Sequence, residues 1–416
     1  MANGELPREW ERSRIRDRYR FTSKPRDLRL SKYPQVAFLP MDAIPTGRLF
    51  IREYLERVPG QISSGTYFEE GDLLLSKITP CFENGKQAIA QETPNGFGIA
   101  TTEVIPLKAV AGISDISFLA YYLLDQEVRA GLASKMEGAT GRQRLPKSVL
   151  EEWEMPFPPL PEQQTIAAVL SKLQRAVEAQ DKIIATLKEL KAATLAKLFR
   201  EGLRGEPLKE TEIGEIPESW EVSPIGNLLD IQLGKMLSPK ARGGADPKPY
   251  LRNANVQWGR FDLVGVFRMD FSEREKQKFL LRKGDVLICE GGEPGRTAVW
   301  DMQIGECYYQ KALHRLRPKG TNLIKPAFFS YWMDAAFRLF GVYGLSGTKT
   351  TIAHLPAIKL AALPIPRPSI EEQQEISCAI SAVDRRLINA EQEHLKTTAL
   401  FQSMLHLLMT GEVRIS

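Results

Sequence analysis

Apolar residues recur every three or four positions over two long stretches of the chain, the pattern of a helix with one buried face. Pro161 and Glu162 suit the first turn of the first helix, and Ser369 with Glu372 predicts a capping box for the second. Gly202 and Gly411 are expected to end the two helices. The periodic positions are Ile166, Leu170, Leu173, Val177, Ile184 and Leu187, and then Ile376, Ile380, Val383, Leu387 and Ala390.

This spacing is typical of a coiled-coil seam. About forty residues at ~1.5 Å each would make each helix roughly 60 Å long, which predicts a spacer. We expect the two apolar stripes to pack against each other in antiparallel fashion. The alternative is that each helix folds back on its own domain. His394 and Thr397 replace the positions of Ile184 and Leu187 in the second helix, so the pairing at that end stays open.

The rest of the chain breaks into short apolar runs separated by Gly, Pro, Asn and Asp, which predicts a mixed α+β fold. The predicted strands are Ala37–Leu39, Leu73–Ile78, Gly98–Leu107, Lys248–Val256, Asp285–Cys289 and Ala312–Leu316. The predicted shorter helices are Ile116–Leu124 and Ala327–Phe340.

An internal repeat of about 210 residues organises the chain. The matched pairs are Leu6–Glu11 with Ile216–Glu221, Phe38–Leu49 with Tyr250–Phe261, Gly71–Leu75 with Gly284–Ile288, Leu145 with Ile352, Pro156–Pro158 with Pro364–Pro366, and Glu162–Gln164 with Glu372–Gln374. Six matches in the same order predict a pseudo-two-fold molecule. Its parts are a domain at 1–159, a helix at 160–205, a second domain at 206–367 and a second helix at 368–416.

Charge supports this division. The formal net charge is +5, and the charges of the two helical segments cancel, so the excess of Lys and Arg lies in the two domains.

Four scattered cysteines make disulfides and a structural zinc unexpected. Residues 1–20 have no apolar core, and no run approaches the ~20 apolar residues of a membrane span, so we expect a soluble, cytoplasmic protein.

Catalytic motifs are missing from the sequence. It has no Asn/Asp-Pro-Pro-aromatic motif of amino-methyltransferases and no G-x-x-x-x-G-K-[ST] phosphate-binding loop. No Ser/His/Asp, Cys/His or metal-ligand arrangement stands out. These absences favour an accessory role.

The run Pro-x-Pro-Pro-Leu-Pro-Glu-Gln-Gln before a long helix, repeated near residue 370, resembles the specificity (S) subunit of type I restriction–modification systems. Tyr250–Val256 and Gly284–Arg296 are similar to runs in that family's recognition domains. The resemblance implies two target-recognition domains that each read half of a split, asymmetric DNA site, with the helices setting the spacer. It also implies two modification subunits that methylate adenine at N6 with S-adenosylmethionine, and two motor subunits that use ATP and Mg for cleavage. This chain would hold no cofactor and perform no catalysis.

A DNA reader needs cations for phosphates and amides, hydroxyls or Arg forks for base edges. The candidate DNA-binding residues are Lys77, Asn84, Lys86, Arg142, Gln143, Arg144, Arg252, Asn253, Asn255, Arg296, Thr348, Lys349 and Thr350. The other interpretations of these segments are a solvated turn for 138–144 and 346–351, hairpin turns for 77–86 and 290–296, and a half-exposed strand for 248–260.

Two other functions stay open at this point. One is a self-contained DNA nuclease or methyltransferase with two recognition arms. The other is a coiled-coil assembly protein without a DNA role. A chain that modifies DNA on its own would favour the first, and a complex without salt-sensitive DNA binding would favour the second.

Overall fold

The computed structural model describes residues 6–237, 246–343 and 354–415. The chain divides into two compact units. Unit 1 contains Met1–Ile183 and Ala390–Ser416, and unit 2 contains Ile184–Asn389. Each unit therefore combines one α+β domain with a segment of both long helices.

The domain of unit 1 is built on two sheets. Its strands are β1 (Glu11–Arg14), β2 (Tyr19–Phe21), β3 (Val36–Leu39), β4 (Phe50–Ile51), β5 (Leu55–Arg57), β6 (Thr66–Glu69), β7 (Leu73–Ser76), β8 (Gln87–Ala90), β9 (Phe97–Ala100), β10 (Val104–Ala109) and β11 (Glu154–Phe157). The inner sheet has the order β2-β10-β7-β8-β4, and the outer sheet has the order β5-β3-β9-β6. Strand β1 pairs with β11.

Short helices cover the inner sheet. They are α1 (Ile15–Arg18), α2 (Ile116–Tyr122), α3 (Gln126–Ala133) and α4 (Lys147–Glu151), with 3₁₀ turns at Leu30–Lys32, Met41–Ala43, Pro59–Gln61 and Pro94–Gly96. Asp115 and Asp125 cap α2 and α3 by accepting hydrogen bonds from backbone N–H groups of their first turns. The apolar face of α2 is fully buried against this sheet, where Phe118, Leu119 and Tyr121 join the main core.

The domain of unit 2 repeats this plan. Its strands are β12 (Leu208–Thr211), β13 (Gly214–Pro217), β14 (Glu221–Pro224), β15 (Leu229–Leu233), β16 (Lys248–Leu251), β17 (Val256–Gln257), β18 (Arg260–Phe261), β19 (Phe267–Met269), β20 (Val286–Cys289), β21 (Thr297–Val299), β22 (Tyr308–Tyr309), β23 (Leu313–Pro318) and β24 (Pro364–Arg367). Its short helices are α6 (Ile225–Leu228), α7 (Glu273–Phe279), α8 (Pro326–Ala335) and α9 (Ala357–Ala362), with a 3₁₀ turn at Asn253–Asn255 and a π turn at Ala336–Phe340.

Equivalent strands pair in the same way in the two domains. The pair β14–β24 repeats β1–β11. In the outer sheet, β3 has a parallel neighbour in β9 and an antiparallel neighbour in β5. Strand β16 has the same two kinds of neighbour in β22 and β19. The predicted α+β class and the duplication are therefore confirmed.

The two long helices are α5 (Leu160–Glu201) and α10 (Ile370–Thr410). In unit 1, Glu162 bonds to Arg414 at one end of the paired segments and Asp181 bonds to His394 at the other. In unit 2, Glu372 accepts from the backbone N–H of Leu203, and Asp384 pairs with Lys191. Because one residue number rises as its partner's falls, the helix segments are antiparallel within each unit.

The helix termini follow the sequence signals in most respects. Gly202 and Gly411 follow the last helical residues with φ of 62° and 78°, a conformation that favours glycine. Ser369 accepts a hydrogen bond from the Glu372 N–H at 3.2 Å. The predicted capping box is nevertheless only half right, because the Glu372 carboxylate bonds to Leu203 and Trp220 instead of returning to Ser369.

Three sequence expectations need correction. The run Gly98–Leu107 is two strands, because a turn after Ala100 carries the chain from the outer to the inner sheet. The run Lys248–Val256 is interrupted by the 3₁₀ turn at Asn253–Asn255. The counterpart of Leu145 is Leu355, since each is buried and donates its backbone N–H to the equivalent loop, at Lys77 or Glu290. Ile352 lies outside the described residues.

Candidate nucleic-acid interface

Each domain is joined to its helix segments by a tryptophan–glutamate hydrogen bond. The Trp10 indole N–H donates to Glu162 at 3.0 Å, and the Trp220 indole N–H donates to Glu372 at 3.1 Å. Both indoles are buried, as the sequence predicts for packing residues. The domains are therefore anchored to the helices at equivalent points.

A buried glutamine completes this anchor in each unit. Gln163 accepts from the Asp115 N–H at 2.9 Å and donates to the Pro158 carbonyl at 2.8 Å. Gln373 accepts from the Lys325 N–H at 2.8 Å and donates to the Pro368 carbonyl at 3.0 Å. Both side chains are fully buried. We call these contacts, with the tryptophan–glutamate pairs, the root contacts of the two domains.

Two of the loops predicted to bind DNA meet in unit 1. The Thr79 N–H donates to the Gln143 carbonyl at 3.0 Å, and the Leu145 N–H donates to the Lys77 carbonyl at 2.7 Å. The structure thereby brings Lys77, Gln143 and Arg144 together. The Arg144 guanidinium makes two hydrogen bonds of 2.8 Å to Glu103. These bonds hold the pKa of the Glu103 carboxyl below its usual range.

The other candidates of unit 1 lie around this junction. Arg142 is exposed, and Lys86 is half-buried beside Thr46. Asn84 is exposed and lines a groove of about 1040 Å³ against α3 and the last turns of α10. Among the described residues Arg142 and Lys86 have no ion pair, whereas Arg144 has a carboxylate partner in Glu103.

The candidates of unit 2 form a bonded cluster. The Asn255 side chain is buried and links the Arg252 N–H to the Asp262 carbonyl. Asn253 donates to the Gly291 carbonyl at 2.8 Å, and Arg296 donates to the Asn253 carbonyl at 3.0 Å. These contacts give Asn255, Asn253 and Arg296 a structural role in joining the loops 252–257 and 290–296.

Arg252 differs from its neighbours in this cluster. Its guanidinium lies 3.5 Å from the centre of the Phe267 ring and has no ion pair among the described residues. It lines a cavity of about 790 Å³ with Arg268 and Gln310. Arg252 is thus a stacked, unneutralised cation of the kind that recognises phosphates or base edges. Thr348, Lys349 and Thr350 lie outside the described residues.

Sequence reasoning identified the Glu-Gln-Gln motif as a family signature but missed what its residues do. Glu162 and Gln163 stand in the first turn of a helix, where a solvated position is the ordinary expectation. The signal that could have revealed their role is the repeat itself, because Trp10 and Trp220 precede Glu162 and Glu372 by the same 152 residues.

The described residues contain no group of three or more His, Cys, Asp or Glu side chains arranged to hold a metal ion. All four cysteines are free thiols. Within the same residues, no helix is both long and apolar enough to span a membrane.

Two α+β domains on paired helices, with cations at their loops, define a duplicated recognition protein. The model of the type I restriction modification DNA specificity domain matches this chain twice, at residues 7–189 and 217–397. The chain therefore belongs to the type I restriction–modification specificity family. It is a DNA-recognition subunit of that class and is not a catalytic one.

Relatives and solved structures agree with this assignment. The type I restriction enzyme MjaVIII specificity subunit of Methanocaldococcus jannaschii is 28% identical over 76% of this chain and 75% of its own length. The putative MjaX specificity subunit of the same organism is 23% identical over 99% of this chain and 95% of its own length. The type I system S subunit from M. genitalium has the same fold, with a TM-score of 0.61, 15% identity and 98% of each chain covered.

Proposed function

We propose that each domain of this specificity subunit reads one half of a split, asymmetric sequence in double-stranded DNA. The observation that carries the proposal is the duplication of the root contacts, which fix two separate domains to the helices in the same way. Equivalent attachment of two domains with different surface loops suits a protein that reads two different half-sites. The unspecified bases between the half-sites would correspond to the helical part of the chain.

The proposed partners supply all of the chemistry. Two modification subunits would methylate adenine at N6 with S-adenosylmethionine, and two restriction subunits would cleave DNA with ATP and Mg. This chain would bind no cofactor and would act in the cytoplasm, where its DNA lies. Among the described residues, four of the candidate contact residues have side chains without a hydrogen bond or ion pair, namely Lys86, Arg142, Gln143 and Arg252. Lys77 interacts electrostatically with Glu103.

The test is to sequence methylated adenines in host cells with and without this gene. We expect one two-part motif to lose methylation when the gene is deleted and to regain it when the gene is restored. A methylation pattern that does not respond to the gene would contradict the proposal.

Incubating the purified chain alone with DNA, S-adenosylmethionine and divalent metal should yield no product, whereas a self-contained nuclease or methyltransferase would act.

A second experiment tests the spacer. Inserting four residues, about one helical turn, into both α5 and α10 keeps the antiparallel pairs matched while lengthening the helical segments by ~6 Å. We expect the unspecified gap in the methylated motif to grow by one or two base pairs while both half-sites stay the same. An unchanged gap would contradict the spacer role of the helices.

A further inference from the structure

Four basic residues form an exposed row in unit 1, in the segment between β2 and β3. Lys24, Arg26, Arg29 and Lys32 are all exposed, and Asp27 is the only acid in the same segment. Among the described residues none of the four has an ion pair. Unpaired cations at this density repel one another, and they are therefore expected where a polyanion neutralises them.

The segment is fixed to the outer sheet by its apolar residues. Leu28, Leu30 and Tyr33 pack on a cluster that contains Phe97 and Ile99. The Tyr33 and Phe97 rings meet edge to face at 4.9 Å. Because the apolar side chains point toward the sheet, the basic side chains between them are held outward on a rigid support.

A fifth cation belongs to the same face. The Arg57 guanidinium on β5 lies 3.9 Å from the centre of the Phe38 ring, and Phe38 packs on the same cluster as the segment. Arg57 also has no ion pair among the described residues. We call Lys24, Arg26, Arg29, Lys32 and Arg57 the basic face of unit 1.

A groove lined with hydroxyl groups lies next to this row. It has a volume of about 450 Å³ and is lined by Lys24, Ser63, Ser64 and Thr66 among others. A side chain at Gly65 would collide with Ile99 and with the Ala100 carbonyl, so glycine lets this loop lie against the sheet. Hydroxyl, lysine and arginine groups are the donors that proteins use for DNA phosphates.

We infer that the basic face of unit 1 binds the phosphate backbone of the DNA and orients this domain on its half-site. The inference rests on the proposed function and names the surface that performs part of it. DNA is favoured over an acidic protein because the row of cations adjoins a groove lined with hydroxyl and lysine donors, the groups that bind DNA phosphates.

The test compares two triple variants of the full chain, each assembled with the modification subunits of its host. The first, Arg26→Ser with Arg29→Ser and Lys32→Ser, removes three charges from the basic face. The control, Arg8→Ser with Arg48→Ser and Lys135→Ser, removes three exposed charges elsewhere in unit 1. DNA affinity is measured by fluorescence anisotropy at several salt concentrations on the natural motif and on scrambled DNA.

We expect the first variant to bind both DNAs at least about tenfold more weakly at 0.15 M salt. Its plot of log affinity against log salt should be shallower by about 0.9 for each phosphate that the variant no longer neutralises. The control should stay close to the wild type. The exchange variant Arg26→Lys with Arg29→Lys and Lys32→Arg keeps the charges and should retain the affinity, which separates charge removal from misfolding.

Three outcomes would overturn the inference. Equal weakening in the two triple variants would mean that only net charge matters. Intact DNA binding with weaker assembly of the modification subunits would make the face a protein interface. Unchanged affinity and salt dependence would exclude both roles. Failure of the proposed function looks different, because the wild-type complex would then bind the motif no more tightly than scrambled DNA.

Discussion

The two units are alike at their root contacts. They differ where each domain packs against parts of the long helices that lie beyond the root contacts. In unit 2, Lys191 lies between Asp384, at 2.8 Å, and Asp334, at 3.4 Å. The equivalent positions in unit 1, one repeat of about 210 residues away, are Phe401, Gln174 and Leu124. There the Tyr121 hydroxyl donates to Gln174 at 2.7 Å, and the Tyr121 and Phe401 rings meet edge to face.

This difference shows which contacts can vary. The glutamines of the root contacts satisfy a part-buried backbone N–H and a buried carbonyl in each unit, so a change there leaves polar groups without partners. The contacts beyond the root join side chains to side chains, and an ionic cluster can be exchanged for an apolar one at low cost when all members change together. A recognition domain can thus diverge on its surface while its attachment is kept.

The largest effect is expected from the buried glutamines. We predict that Gln163→Leu and Gln373→Leu each lower the free energy of unfolding of the affected unit by about 2–5 kcal/mol, because each leaves a part-buried N–H and a buried carbonyl unpaired. Urea denaturation of the full chain measures this change. Gln392→Leu, at an exposed helical position, serves as the control. A loss of stability in only one of the two glutamine variants would contradict the equivalence of the root contacts.

A smaller loss of stability should distinguish the two units at the contacts beyond the root contacts. Lys191→Met should destabilise unit 2 by about 2–3 kcal/mol, because both Asp334 and Asp384 lose a cation at close range. Asp384 then retains its hydrogen bond with Tyr331, and Asp334 retains its ion pair with Arg338. Changing Asp334 and Asp384 to Leu in the same chain should recover most of this stability. Phe401→Met in unit 1 should cost under about 1.5 kcal/mol. Thermal unfolding monitored by circular dichroism measures both changes in stability. Equal losses of stability in Lys191→Met and Phe401→Met would contradict the difference between the units.

The smallest effect depends on pH and concerns His406 of unit 1. Asp125 accepts from His406 at 3.0 Å, and this hydrogen bond raises the pKa of His406. A raised pKa stabilises the folded state below the unfolded value near 6.5, and this stability is lost as the pH rises through the folded value. Because His406 is partly exposed, we expect a loss of under about 1 kcal/mol between about pH 6 and about pH 8.

Denaturation curves at the two pH values measure the His406 effect. The variant His406→Gln keeps a hydrogen-bonding group but cannot titrate, so its stability should change less over this range. Equal pH dependence in the variant and the wild type would assign the effect to another group. Unit 2 has Ala196 at the equivalent position, which is why we expect no matching effect there.

The architecture was predictable from sequence because the repeat supplies an internal comparison. The helix positions around Ile166 and Ile376, the stops at Gly202 and Gly411 and the α+β class all follow from patterns that occur twice. The turn that divides Gly98–Leu107 was not predictable, because strands of two sheets can follow each other without a break in apolar residues.

The candidate site was less predictable, because a sequence does not show which charged side chains have partners in the folded protein. A sequence shows that Arg144 and Arg252 are cations, but only the fold shows that Glu103 neutralises Arg144 and that Arg252 stacks on Phe267. The sequence also hid the basic face of unit 1. None of its residues belongs to the six matched pairs that define the repeat, so those pairs do not mark them.

Replacement of one domain tests the central claim most directly. Residues 1–159 would be exchanged for the equivalent domain of another specificity subunit, with Trp10 and Glu162 retained so that the root contact still forms. Methylated adenines would then be sequenced in cells that carry the hybrid. We predict that one half of the motif changes while the other half and the gap stay the same. A change in both halves, or in neither, would contradict independent reading by the two domains.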